Sequence, residues 1–528
     1  MGSMRSRMDR RVVLGLIVSI ILYVSLHTYY PNEEYIMKNL GYNDFEQIKD
    51  ENENYYTLGN DGYFFLIHAE SHYYGKPFDS NLLSELIYLD MKFTKWLDDV
   101  LHGYSSLDIK TDKLLTPMIP EFFGLLILVL IYVLTWYYSQ DMYAVWFAGI
   151  FIAVESYIFA AIILFDRTML NIFFLVLIFF LMYKAITEKR WWLWVHYVFF
   201  SIILFAWCWS SGWFIAPLLL LLFLSLIIKR KSKKVKMVLT IVGGLFLVLS
   251  FIFGWYKLFI GKLMLYLFST SGIGELQAFE WYFSVIVITL CGLLGLFLKV
   301  WQNKKEGKII LEDKEILLLA WIVPLLIIGS MRVRFIVFGL VFLPILFSYF
   351  IVEEKRRKFF EKPIVSICVI SLVMLLFIAQ RNDYSGGIHG IPLMEDSIIE
   401  MGDWINEHWG GYLVSHPDYG ILYEYASNKT SRYKSGDADF DGFSSFMLFD
   451  EENAMKLYNY IPANSLIIID EHMINQGILG VMEKKSGVKY SEKSILYKMA
   501  NNQTLNNFTL VYEKQGMLRW YKIYGWSG

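Results

Sequence analysis

The chain has 528 residues, 56% hydrophobic and 18% aromatic, with a mean hydropathy of +0.42, above the usual apolar share of a water-soluble globular protein. That excess must face lipid, and a net charge of −2 leaves no basic face to neutralise a row of phosphates, which excludes nucleic acid as a partner. The three cysteines, Cys208, Cys291 and Cys368, lie far apart inside apolar runs, so they read as small buried residues rather than a disulfide frame or a thiolate metal site.

Apolar runs long enough to cross roughly 30 Å of hydrocarbon begin at residues 12–29 and continue at 120–138, 143–165, 169–186, 191–209 and 213–228. Further runs follow at 237–256, 281–300, 316–330, 335–352 and 364–379, for about eleven spans in all. The first reads as a retained signal anchor, because no small-residue cleavage site follows it. Basic clusters at 5–11, 189–190, 229–236, 299–308 and 355–362 all fall on one side of such a topology. Positive loops favour the cytoplasm. The expectation is a multi-pass protein of the cell membrane with a cytoplasmic N-terminus and an extracytoplasmic C-terminal domain. Residues 1–380 form the membrane domain, with external loops at 30–119 and 257–280, and residues 381–528 form the external domain.

The external domain mixes strand-like runs at 465–469 and 509–513 with a helix-like stretch at 396–407, which predicts a compact mixed α/β fold. No internal repeat or low-complexity tract appears, and no pattern speaks to oligomeric state.

Ionisable groups at a membrane boundary are where chemistry is expected. Three carboxylates fall on the outer side: Asp61 in Gly59-Asn60-Asp61-Gly62-Tyr63, Asp166 in Phe165-Asp166-Arg167-Thr168, and Glu275 in Ser271-Gly272-Ile273-Gly274-Glu275-Leu276-Gln277. Each alone is better explained as a helix cap or a solvated loop residue. Together they suit a hard divalent cation, Mn²⁺ or Mg²⁺, able to neutralise a departing diphosphate. Arg332 and Arg334 sit in a short external turn, where a guanidinium either binds phosphate bidentately or snorkels to the interface.

With those residues in place, the sequence resembles the catalytic subunit of oligosaccharyltransferase in its single-subunit bacterial and archaeal forms. Asn60-Asp61-Gly62-Tyr63 resembles the family's first acidic motif, and Asp166-Arg167-Thr168-Met169-Leu170 resembles its second, an Asp-X-Asp followed by an apolar helix. Residues 271–277 resemble the glutamate motif of the external loop, and Arg332-Val333-Arg334-Phe335 the turn that meets the lipid diphosphate. In the external domain Ser415-His416-Pro417-Asp418-Tyr419-Gly420 resembles the signature Trp-Trp-Asp-Tyr-Gly, and Phe443-Ser444-Ser445-Phe446 falls where members carry a similar string. Asp470-Glu471-His472-Met473-Ile474 is a weaker match to a further recognition helix, equally well explained as a turn after a strand.

The resemblance implies a GT-C type, polytopic α-helical enzyme acting as a glycosyltransferase, to which the apolar runs give about eleven spans. It would move an oligosaccharide from a polyprenyl diphosphate to the Asn of Asn-X-Ser/Thr acceptor peptides or proteins. Asp61, Asp166 and Glu275 would hold the divalent cation, and Arg332 and Arg334 would hold the diphosphate. His416, Pro417, Asp418 and Tyr419 would receive the acceptor's hydroxyl-bearing residue.

Departures from the family pattern are local. Thr168 stands where the second motif has its second carboxylate, and His416-Pro417 replaces the tryptophan pair. The membrane domain is also about two spans short of the usual number. Two other readings stay open: a related polyprenyl-phosphate glycosyltransferase with a hydroxyl or lipid acceptor, and a catalytically silent homologue that binds glycolipid or peptide. A transporter is disfavoured, since the carboxylates share one face and only Glu155 falls mid-span. Sequons at Asn428, Asn502 and Asn507 all lie in the part expected to be exported.

Overall fold

The computed structural model of the chain describes residues 10–27, 66, 69, 82–102, 118–154, 168–208, 283–307, 311–331, 333–356, 395–432, 440–460, 464–474, 476–516 and 519–526. Its contacts divide the chain into two units: Met1–Tyr29 with Asn81–Leu83 and Met118–Ile388, and Tyr30–Ser80 with Ser84–Pro117 and His389–Gly528.

Helices account for the described part of the first unit. They are α1 (Arg10–His27), the start of α2 (Leu82–His102), α3 (Met118–Ser139), α4 (Met142–Val154), α5 (Thr168–Thr187) and α6 (Trp191–Cys208). After these come α7 (Phe283–Lys305), α8 (Asp313–Met331), α9 (Val333–Leu340) and α10 (Leu343–Arg356). Each follows an apolar run, except α2. That helix lies within the segment 30–119 expected to be an external loop and buries Leu83, Ile87 and Met91 at the i, i+4, i+8 spacing of one helical face. Among the described residues two helical stretches are long and apolar enough to cross a membrane, Glu121–Ser139 and Thr168–Thr187, with mean hydropathies of 2.0 and 2.3. The expected spans at 213–228, 237–256 and 364–379 lie outside the described residues.

One expected span, 335–352, is two helices. Pro344 has no N–H, so the Leu340 carbonyl loses its helical donor, and the ring crowds that carbonyl. The chain tightens instead, with Phe342 N donating to Gly339 O at 3.1 Å and Ile345 N to Phe342 O at 3.1 Å. Between α3 and α4 the reversal is equally local. Gln140 adopts a left-handed φ of 52°, and the Asp141 carboxylate caps α4 by accepting from Tyr143 N at 2.9 Å and Ala144 N at 3.2 Å.

The unit's core is aromatic. Trp321 of α8 is fully buried, with its ring centroid 5.6 Å from Phe179 of α5, which is itself 5.0 Å from Phe342. By contrast α1 leaves Val13, Leu14, Ile17, Val18, Ile21 and Val24 exposed, an apolar face of the kind lipid covers. Where the basic clusters gather, Glu315 is fully buried against Lys299, and its other oxygen accepts from Glu312 N at 2.6 Å. The Tyr138 hydroxyl donates to Lys314 O at 2.8 Å, joining α3 to the start of α8.

The second unit contains most of α2, then α11 (Asp396–His408), β1 (Leu413–Val414), α12 (Pro417–Ser427), α13 (Phe440–Leu448), α14 (Glu451–Ala454) and β2 (Leu466–Asp470). It closes with α15 (Gln476–Ser486), α16 (Ile495–Ala500), β3 (Phe508–Gln515) and β4 (Trp520–Trp526). The sheet order is β1-β2-β4-β3, with β1 parallel to β2 and the other pairs antiparallel. β2, Leu-Ile-Ile-Ile-Asp, is buried at every position, as a strand covered on both faces must be.

Alternation sorts its side chains. Ile467 and Ile469 join Tyr524 and Trp526 in a core with α13, α15 and α16. Asp470, paired in register with Tyr521, therefore faces the other way. β3 is the edge strand, disrupted in register between Leu510 and Tyr512 and carrying Glu513 and Lys514 where further pairing is to be prevented.

Close packing of α7 against α10 depends on two glycines. A Cβ on Gly295 of α7 would strike the backbone of Phe350 on α10, and one on Gly292 would lie 3.0 Å from the Leu346 carbonyl carbon. Because backbone cannot step aside, Gly295→Val is expected to lower stability by roughly 1–3 kcal/mol or more, read as an earlier thermal unfolding of the detergent-solubilised protein. A change at the exposed Leu294 should leave the transition in place.

Candidate functional site

The stretch Ser415–Gly420 singled out in the second unit is a strand–turn–helix junction. Leu413 and Val414 are buried in β1, pairing with Leu466 and Ile467 of β2, so the chain leaves the sheet in a fixed direction. Ser415 and His416 follow, also buried. Pro417 then opens α12 at the first helical position, where its lost N–H costs nothing and its φ is already helical. The His416 carbonyl accepts from Tyr419 N and Gly420 N, both at 3.0 Å. His416 is not a surface residue: its ring lies 6.1 Å from that of Tyr419 and 6.5 Å, edge-on, from that of Phe443. Phe443 opens the string Phe443-Ser444-Ser445-Phe446, which the resemblance matched to a later family string.

Behind the turn is a buried polar network that no motif announced. Asp470 ends β2 and is 1% exposed. Its Oδ1 accepts from Met473 N at 3.1 Å, capping the 3-10 turn Glu471–Ile474, and its Oδ2 accepts from the Tyr423 hydroxyl of α12 at 2.5 Å. The Arg519 guanidinium approaches the same Oδ2 at 3.7 Å. It also lies 4.9 Å from the centre of the Tyr419 ring and 5.8 Å from that of Tyr521. The Tyr521 hydroxyl donates to Glu395 Oε1 at 2.5 Å, just before α11. The segment 470–474 is thus a capped turn after a strand, with Asp470 turned into the protein.

Both phenols are held neutral. Burial pushes Tyr423 well above the ordinary phenol value of 10.0, and the adjacent Asp470 carboxylate adds to the rise. Burial does the same for Tyr521, with Glu395 raising it and the Arg519 charge opposing.

Of the residues expected to form the metal and diphosphate sites, Asp61, Asp166, Glu275 and Arg332 lie outside the described residues. Arg334 falls in the first turn of α9, and Thr168 is the first residue of α5, the apolar helix that follows the second acidic motif. Among the described residues no group of three or more His, Cys, Asp or Glu is arranged to hold a metal ion. Pro417, Asp418 and Tyr419 form the opening turn of α12 beside His416. Sequence reading missed Arg519, Tyr423, Tyr521 and Glu395. Arg519 stands in Met517-Leu518-Arg519-Trp520-Tyr521, where a charge among apolar residues is the one local sign that it is buried.

No family model matches the sequence, and a search of curated proteins returns no match. Solved structures do match. The oligosaccharyltransferase of Archaeoglobus fulgidus, tethered through a disulfide to an acceptor peptide containing the NVT sequon, superposes with a TM-score of 0.68 at 14% identity, covering 96% of this chain and 80% of that one. The same organism's enzyme AglB, in complex with an inhibitory peptide and a dolichol-phosphate, gives 0.68 at 13% identity over 96% and 79%. ArnT from Cupriavidus metallidurans bound to undecaprenyl phosphate gives 0.50 at 11% over 97% of each chain. The chain therefore has the GT-C fold of these multi-pass membrane glycosyltransferases, and over nearly its whole length it follows that of an oligosaccharyltransferase catalytic subunit.

The tyrosine network has a pH signature. A folded-state value raised above the unfolded one means stabilisation that is complete below pH 10 and is lost as pH rises toward the folded value. Replacing Tyr423 and Tyr521 with Phe is expected to cost roughly 1–3 kcal/mol per site at neutral pH and to make the alkaline loss of stability shallower. Chemical denaturation at a series of pH values, with phenolate absorbance followed in parallel, checks both.

Proposed function

We propose that this protein is an oligosaccharyltransferase that moves a glycan from a polyprenyl diphosphate carrier to the side-chain amide of Asn in Asn-X-Ser/Thr acceptors on exported proteins. The observation that carries the reading is that one fold runs from the apolar helices through the external unit that bears the His416–Gly420 junction, in parallel with an enzyme seen holding a sequon peptide. The reading places the N-terminus in the cytoplasm and the second unit outside, in line with the basic loops.

In this reading Asp61, Asp166 and Glu275 hold a divalent cation, Mn²⁺ or Mg²⁺, which when bound would neutralise charge on the leaving diphosphate. Thr168 in place of a carboxylate leaves one ligand position to water or to a neighbouring group. An amide nitrogen is a poor nucleophile, so Asp61 and Glu275 also accept its hydrogens and localise its lone pair. The bond from the sugar C1 to the diphosphate oxygen breaks, the C1–N bond forms, and the amide proton passes to a carboxylate. Arg332 and Arg334 receive the diphosphate, each presenting a planar fork to its oxygens. His416, Pro417, Asp418 and Tyr419 receive the hydroxyl-bearing residue of the acceptor, a polar contact that rejects analogues lacking the hydroxyl.

A second reading rests on the likeness to ArnT and on the missing tryptophan pair: the same donor chemistry with a different acceptor. Acceptor binding separates the two, because only a sequon-recognising enzyme needs the Asp418 turn.

The test is a transfer assay in membranes supplied with lipid-linked glycan, a fluorescent Asn-X-Thr peptide and Mn²⁺. A shift in peptide mobility is expected. Chelation, or Asp61→Ala, Asp166→Ala or Glu275→Ala, should each reduce it by roughly 100-fold or more. A shift that survives chelation and all three replacements would overturn the reading, as would equal transfer to a peptide with Ala in place of Thr.

A further inference from the structure

Among the described residues of the second unit, Arg519 is a deeply buried cation that the mechanism leaves unused. Its side chain is 6% exposed. A guanidinium does not shed its proton in a protein, so its burial costs several kcal/mol unless nearby groups offset it. An apolar side chain of similar volume at such a position would avoid that cost. Asp470 is not dedicated to the task of offsetting it, since it already caps Met473 and takes the Tyr423 hydroxyl. Besides Asp470 and the Tyr521 ring at 5.8 Å, Arg519 holds the ring of Tyr419, 4.9 Å away, in the opening turn of α12.

The two ends of this contact differ in how they are fixed. Arg519 immediately precedes β4: Gly516 N donates to Arg519 O at 2.9 Å across the β3–β4 turn, and Trp520 starts the register with Gln515. Tyr419 belongs to the junction, one residue beyond Asp418 and three beyond His416. A planar cation lying on an aromatic face restrains both the distance and the tilt of that ring.

We propose that Arg519 is a positioning residue for acceptor binding: anchored on Asp470 and the β3–β4 turn, its guanidinium fixes Tyr419 and so sets the orientation of the His416–Asp418 turn that receives the peptide. The proposal rests on the reading of that turn as the acceptor site. Arg519 touches no substrate and acts through Tyr419.

The experiment uses the full-length protein in membranes with lipid-linked glycan and a fluorescent Asn-X-Thr peptide. Arg519→Lys keeps a charge for Asp470 but loses the planar stack, and Arg519→Gln loses both. The acceptor KM is expected to rise roughly three- to thirty-fold, least for Lys, while kcat and the KM for the lipid donor stay within about two-fold of wild type. Tyr419→Leu should raise the acceptor KM as well, and combining it with Arg519→Lys should add little, because one contact cannot be lost twice.

An acceptor KM unchanged in both Arg519 variants would overturn the proposal, as would full additivity with Tyr419→Leu. So would a fall in kcat that tracks loss of folded protein in a thermal melt. Fluorescence anisotropy of the same peptide without donor separates the two levels of the argument. Peptide binding weakened by Arg519→Lys supports the proposal even where transfer is absent. A wild-type protein that binds no sequon peptide sinks the acceptor reading and this inference with it.

Discussion

The carboxylate of Asp470 is where the second unit is tied together. It stands at the end of a strand buried at every position, so water does not satisfy it, and each lone pair must find a protein donor. One oxygen starts the turn that carries the chain into α15, and the other gathers Tyr423 from α12 and the Arg519 guanidinium from the β3–β4 hairpin. Remove the charge and three separately folded segments lose a common reference. A buried ion pair adds little net stability over apolar packing but is strongly directional. Its consequence is that helix, strand end and hairpin share one register.

A different constraint governs the first unit. Helices without water to drive their association pack through shape and internal polar contacts, and both devices are visible. Gly292 and Gly295 let the backbones of α7 and α10 come together, while the buried Lys299–Glu315 pair and the Tyr138 hydroxyl fix where α7, α8 and α3 begin or end. Among the described residues Lys299 and Glu315 lie toward helix ends, while fully buried apolar and aromatic side chains such as Phe151, Phe179 and Trp321 fill the interior.

The apolar architecture was legible because hydrophobic length reports directly on what must cross lipid: 120–138 and 169–186 fall within α3 and α5 to within two residues at either end. The break at Pro344 was legible only in principle, since a proline inside an apolar run either kinks a helix or starts a new one. In the second unit the runs 465–469, 509–513 and 396–407 fall on β2, β3 and α11, whereas β1, two residues long, and the mostly buried β4 carry too little alternation to be read. The helix α2 was missed because its segment looked like an acidic loop, and its apolar stripe is diluted by charges on the other face. Arg519, Tyr423 and Tyr521 were hidden for another reason. They are 47 to 126 residues from their partners, and no local pattern records a partner at that distance.

The substitution of His416-Pro417 for two tryptophans takes on a different meaning once the junction is seen. The backbone there must leave a buried parallel strand and start a helix within two residues. Proline does that locally, through its fixed φ, and needs no bulky neighbour to hold the turn. Histidine in turn fills less volume than an indole, yet it stays buried between Tyr419 and Phe443. The geometry of the turn is therefore secured by covalent restraint and by the Arg519 contact behind it rather than by a wall of tryptophan in front. A helix start restrained by proline at one end and by a cation–ring contact to the residue before β4 is a rigid element of the fold.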